Sequence, residues 1–97
     1  MRIERYLLTN LKEEVTLYLE YPKNNRESDF YCEIGIIGDD IDKKTFIHGI
    51  DAIQALTLSI RHLDSFASRV SESIRPRYLY WEFGTEEDRF GLKAIGI

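Results

Sequence analysis

Alternation of apolar and polar positions dominates both ends of this chain, and a three-and-four spacing dominates its middle. Residues 2–8 place Ile3, Arg5 and Leu7 on one face of an extended segment and Glu4, Tyr6 and Leu8 on the other, predicting a first strand that ends at a turn near Asn10. From 14 to 21 the pattern is cleaner, with Val15, Leu17, Leu19 and Tyr21 against Thr16, Tyr18 and Glu20, a half-buried second strand. Pro22 to Asp29 is polar and rich in turn formers, so it reads as a surface loop. Phe30 to Gly38 predicts a third strand, with Phe30, Cys32, Ile34 and Ile36 facing one way and Tyr31, Glu33, Gly35 and Ile37 the other. Asp39 to Asp42 follows as a hairpin loop and Lys43 to His48 as a fourth strand, so the first half reads as a meander.

At Gly49-Ile50-Asp51-Ala52-Ile53-Gln54 the period changes. Asp51 can accept from first-turn amides while Gln54, three residues on, can reach back to the N–H of Asp51. Ile53, Leu56, Ile60, Leu63, Ala67, Val70 and Ile74 then recur at the spacing of one helix face. Pro76 disfavours the helical region for Arg75, which sets the stop near Ser73 or Ile74. Arg77 to Phe83 alternates again as a fifth strand, Leu79, Trp81 and Phe83 against Tyr78, Tyr80 and Glu82. Gly84 opens a polar turn, and Phe90 to Ile97 supplies a short edge strand weakened by Gly91 and Gly96. No repeat or linker interrupts the chain. The expectation is a single α+β domain over 1–97, an antiparallel meander sheet of five to six strands with one long amphipathic helix packed on one face.

Composition adds bounds. A chain of 97 residues buries roughly 60–68% of the surface its unfolded form exposes, enough for one core. Hydrophobic residues at 43% and charged residues at 31% exclude a disordered polymer. Cys32 is the only cysteine, which excludes an intramolecular disulfide and cysteine-rich zinc sites and points to a reducing, cytoplasmic compartment. Thr9, Asn10 and Lys12 break up the apolar residues after the N-terminus, so no signal segment is expected. No run approaches the roughly 20 apolar residues a spanning helix needs. A net charge of −4 opposes nucleic-acid or anionic-membrane binding and favours a basic protein partner.

Candidate chemistry is sparse. Cys32 alternates with Phe30 and Ile34 on the expected core face, the setting of an inert thiol. His48 and His62 lack the spacing of a metal pair. Asp39, Asp40 and Asp42 fall short of a calcium loop, which needs a longer ligand series and a closing glutamate. Catalytic, cofactor and metal residues are therefore expected to be none, and the chain is expected not to be an enzyme.

The sheet face away from the helix is the more informative surface. Alternation assigns it Glu4, Tyr6, Tyr18, Glu20, Tyr31, Glu33, Tyr78, Tyr80 and Glu82, a mixture of aromatic contact area and carboxylates suited to a cationic protein. Glu20, Glu33 and Glu82 with Tyr18, Tyr31, Tyr78 and Tyr80 are the partner-binding candidates, joined by the acidic turns Asp39, Asp40, Asp42, Glu86, Glu87 and Asp88. A solvated antiparallel face, normal for such sheets, is the plain alternative. A binding protein leads the functional readings, followed by a homo-oligomeric domain and then by an enzyme with a pocket between helix and sheet.

The helix entry Gly49-Ile50-Asp51-Ala52-Ile53-Gln54-Ala55-Leu56 resembles the signature of a family of small uncharacterised bacterial domains. Glu4-Arg5 in the first strand, Leu79-Tyr80-Trp81 after the helix, and Gly84 with Asp88 and Phe90-Gly91 are similar to that family's anchors, spanning residues 3–91. Arg89-Phe90-Gly91 replaces the family's closing Gly-Phe-Pro-like turn. The resemblance implies a meander sheet with one packed helix and transfers no active site. In size and acidity the chain also resembles bacterial toxin-immunity proteins, including those of contact-dependent growth inhibition; this implies a basic toxin as partner.

Overall fold

In a computed structural model, which describes residues 2–25, 29–83, 90 and 92, the elements run β1 (Arg2–Thr9), β2 (Glu14–Glu20), β3 (Lys23–Asn25), β4 (Asp29–Ile37), β5 (Asp42–Gly49), α1 (Ala52–Ser73) and β6 (Leu79–Tyr80). All strand pairs are antiparallel. β6 lies beside β1, β1 beside β2, and β2 beside β4, whose other edge carries β5. The fold is the expected α+β meander sheet with one helix.

β3 corrects the reading of Pro22 to Asp29 as loop. Lys23 and Asn24 pair with Tyr31 and Phe30 along the same β4 edge that β2 uses. Between β2 and β3 the register slips by one residue across Tyr21 and Pro22, a bulge that accommodates a proline without a missing ladder donor. The polar side chains hid this strand because its pairing is carried by backbone groups at the end of the sheet.

The β1–β2 turn is organised by buried Thr9. Its hydroxyl donates to the Glu13 carboxylate at 2.9 Å and accepts from the Leu11 and Glu13 amides at 3.2 Å each. Every polar group it buries is thereby satisfied.

Helix α1 starts where the cap residues place it. Asp51 Oδ1 accepts from the Gln54 amide at 2.7 Å, while Gln54 Oε1 accepts from the Ile50 amide at 2.8 Å, one residue before the amide expected. The first turn folds back onto the end of β5 so closely that a Cβ at Gly49 would lie 2.4 Å from the Ala55 nitrogen, which accounts for the glycine. Ala55, Ser59, Leu63, Phe66, Ala67 and Val70 are buried, with Leu56, Ile60 and Ile74 packed at the margin. Ile53 departs from the expected face: it is 77% exposed, because Ala55 takes the contact in the first turn. The small residues Ala55, Ser59 and Ala67 let the helix sit close to the sheet, and Ser59 satisfies its own hydroxyl on the Ala55 carbonyl at 2.7 Å.

The sheet contributes Leu7, Val15, Leu17, Leu19, Cys32, Ile34 and Ile36 to the core. Burying an aliphatic side chain of this size contributes about 1.5–3 kcal/mol. The helix packs chiefly on β4 and β5. Over β1 and β2 the layer is completed by Trp81 and Phe90 at its margin and buried Leu92. Arg5 is held there, its guanidinium 4.4 Å from the Trp81 ring centre and donating to the Phe90 carbonyl at 2.9 Å. The fifth expected strand, Arg77 to Phe83, contracts to Leu79–Tyr80, and Phe83 is exposed rather than in the core. The edge strand expected from Phe90 to Ile97 falls mostly outside the described residues.

Candidate functional site

Among the described residues no second layer covers the sheet face opposite α1. Register lines up its side chains in transverse rows: Tyr80, Leu8 and Glu14; Tyr6, Thr16, Ile37 and Asp42; Glu4, Tyr18, Gly35 and Lys44; then Glu33 with Phe46, and Lys23, Tyr31 and His48. Tyr6 is 66% exposed, Tyr78 55% and Phe46 46%, with Ile37 also exposed. Two aromatic clusters result. At one end the Tyr78 and Tyr80 rings lie 6.4 Å apart, and Lys12 Nζ donates to the Tyr80 hydroxyl at 2.7 Å, which raises the lysine pKa. At the other, Tyr31 meets Phe46 edge-on at 5.9 Å and His48 at 5.8 Å.

Tyr18, expected among the exposed tyrosines, is only 3% exposed. Its ring lies across Gly35, its cross-strand partner, where an added Cβ would come within 2.4 Å of the phenolic oxygen. The Tyr18 hydroxyl donates to Glu33 Oε2 at 2.5 Å, and the Arg2 guanidinium sits 4.5 Å from the ring centre. Burial, then the bond to Glu33, pushes the Tyr18 pKa well above the usual phenol value, so the group stays neutral. Tyr18 is a structural plate between the two aromatic clusters. Glu33 is half-buried and anchors it.

The carboxylates are less uniform than alternation implied. Glu4 pairs with Arg2 at 3.1 Å and Glu20 lies 4.0 Å from Lys23. Asp40 is drawn out of the candidate surface by Arg77, whose guanidinium donates to both its oxygens at 3.2 and 2.9 Å and to Glu13 at 3.0 Å. The Arg77 hydrogen bonds hold the Asp40 pKa below the usual carboxylate value. Arg77 thereby ties the post-helix segment to both hairpin turns. Glu14, Asp39, Asp42 and Glu82 are exposed and make no ion pair among the described residues. Glu86, Glu87 and Asp88 lie outside the described residues. Phe46 and His48 were missed in the sequence because β5 carries apolar residues on both faces, which blurs its alternation.

The residues weighed for chemistry sit apart from one another. Cys32 is buried, and burial raises its pKa while a hydrogen bond with Ser59 acts in the opposite direction. His48 Nδ1 faces Asp29 Oδ2 at 3.1 Å on an exposed rim, and His62 Nδ1 bonds the Leu58 carbonyl of its own helix at 2.7 Å. Among the described residues no group of three or more His, Cys, Asp or Glu side chains is placed to hold a metal ion, and no helix is long and apolar enough to cross a membrane.

Residues 3–93 match the family model DUF6968, a domain of unknown function, and the chain belongs to that family. No curated protein and no solved structure matches it.

Proposed function

We propose that this family member is a non-catalytic protein-binding domain that receives its partner on the open sheet face, and most concretely a bacterial immunity protein that neutralises a basic toxin in the cytoplasm. One observation carries the reading: Tyr6, Ile37, Phe46 and Tyr78 stand exposed on a sheet face that no second layer covers among the described residues. Aromatic side chains on a pre-formed sheet supply contact area at low entropic cost, and interfaces are enriched in them. The net charge of −4, with Glu14, Asp42 and Glu82 free of ion pairs among the described residues, favours a basic partner whose arginines can be met bidentately. A buried thiol of raised pKa and histidines tied to Asp29 and Leu58 support binding over catalysis.

A homodimer through the same face is the second reading, favoured by charge compensation. Glutamates facing their own copies would repel if bare; Arg2 neutralises Glu4 and the Tyr18 hydroxyl bonds Glu33, while Glu14, Asp42 and Glu82, unpaired among the described residues, weigh against it. Capture from lysate of a tagged chain and its Tyr6→Glu, Phe46→Glu variant, at low and high salt, separates the two readings. One stoichiometric basic partner, lost in the variant and weakened by salt that screens charges beyond about 8 Å, supports the first. Recovery of the chain alone, with light scattering giving a dimer that the variant dissolves, replaces it with the second.

A further inference from the structure

We propose that the outer edge of β5, with the groove between it and the second half of α1, receives an extended acidic segment of another protein as an added strand. This surface adjoins the open face and shares Lys44, Phe46 and His48 with it, but its edge backbone groups and its groove on the helix side lie apart from the side chains argued for that face. Among the described residues β5 is paired along one edge, to β4, so its outer row of backbone N–H and C=O groups is available for pairing. Lys43, Lys44, Phe46 and His48 along it are exposed.

Beside this edge lies a cavity of about 290 Å³, lined by Lys43, Lys44 and Thr45 of β5 and by Phe66, Arg69, Val70 and Ser73 of α1. Its floor is apolar, because Phe66 and Val70 belong to the core, and its rim is cationic. No carboxylate lines it, and Lys43, Lys44 and Arg69 make no ion pair among the described residues. On a chain of net charge −4 this is a local inversion of sign.

The geometry matches the two-residue repeat of a strand. Lys43 points to the helix side of the sheet and Lys44 to the open side, so an added strand meets a cation with side chains of either parity. On the helix side an apolar side chain fits over Phe66 and Val70, with a carboxylate two residues along the same face in reach of Lys43 and Arg69. A second copy of this chain is a poorer occupant, since it would bring a second set of unpaired Lys43, Lys44 and Arg69 cations to the same seam, and like charges brought close repel. A small anion would meet the cations but leave the apolar floor and the edge backbone groups unused.

The test is fluorescence anisotropy with a labelled peptide repeating Val-Val-Glu-Glu, which puts both residue types on each face of an added strand and is matched to the 8 residues of β5. A peptide repeating Val-Val-Lys-Lys and inorganic phosphate serve as comparisons. The proposal expects the acidic peptide to bind and the basic one not to. Lys43→Glu with Arg69→Glu should weaken binding by about tenfold or more, with Arg61→Glu leaving it unchanged. Methylating the peptide nitrogens that face β5 should abolish binding, and circular dichroism of each variant should match the parent. The proposal is overturned if phosphate displaces the peptide and the methylated peptide binds equally, which would mark an anion site. It is likewise overturned if no binding appears at millimolar peptide, or if the chain dimerises through β5.

Discussion

A ring lying flat on a glycine is a small contact that organises the centre of the open face. Gly35 leaves room for Tyr18, and Tyr18 returns contact area that a strand glycine lacks. Gly35→Ala would force the ring away from Glu33 and Arg2, at a cost of about 1–3 kcal/mol for overpacking. In a Tyr18→Ala background the same substitution meets no ring and should be neutral or mildly stabilising, because alanine in a strand costs less entropy than glycine. Urea midpoints of the two single variants and the double variant measure this coupling. Additive effects would show that the ring and the glycine are not coupled. The pair also explains why Tyr18 could not be placed from the sequence. Alternation assigns a side chain to a face, but covering by a cross-strand neighbour depends on register, which one strand does not reveal.

At the scale of elements, legibility followed the strength of local signals. α1 was readable at both ends because Asp51 and Gln54 close the first turn and Pro76 stops the last. β2 and β4 were readable because each has one buried face, and β1 because its alternation ends on buried Leu7, although Ile3 on the same face is exposed. β3 was not, since it depends on backbone pairing, and β6 was legible as a strand but not in its length, Leu79–Tyr80 rather than Arg77 to Phe83. The link between hairpins and post-helix segment was also invisible, because Arg77 is 64 residues from Glu13 and 37 from Asp40. That link has a pH signature. The folded Asp40 pKa lies below its unfolded value of about 3.9, so its contribution to stability is present above that value and is lost as pH falls through the folded pKa. Arg77→Ala should therefore be less stable than the parent near neutral pH, and the gap should narrow in acid as Asp40 protonates in both. A gap unchanged down to about pH 2, in denaturant titrations at stepped pH, would remove Asp40 from the account.

At the scale of the molecule, one helix with Trp81, Phe90 and Leu92 covers one side of the sheet, and among the described residues the other side carries aromatic rows, while the charge sums to −4. The candidate site was legible as a face but not in its membership: Tyr6, Tyr31, Tyr78 and Tyr80 lie on it as alternation placed them, Phe46 and His48 join them, and Tyr18 and Asp40 serve the fold instead. The central claim is that this face meets a partner protein. In-cell photocrosslinking tests it most directly, with a photoreactive phenylalanine installed in turn at Phe46, at Tyr6 and at Arg61 on the exposed side of α1. The account predicts one adduct of the same mass from positions 46 and 6, and none from 61. Adducts from position 61 alone, or none from the sheet face with a functional partner present, would contradict it.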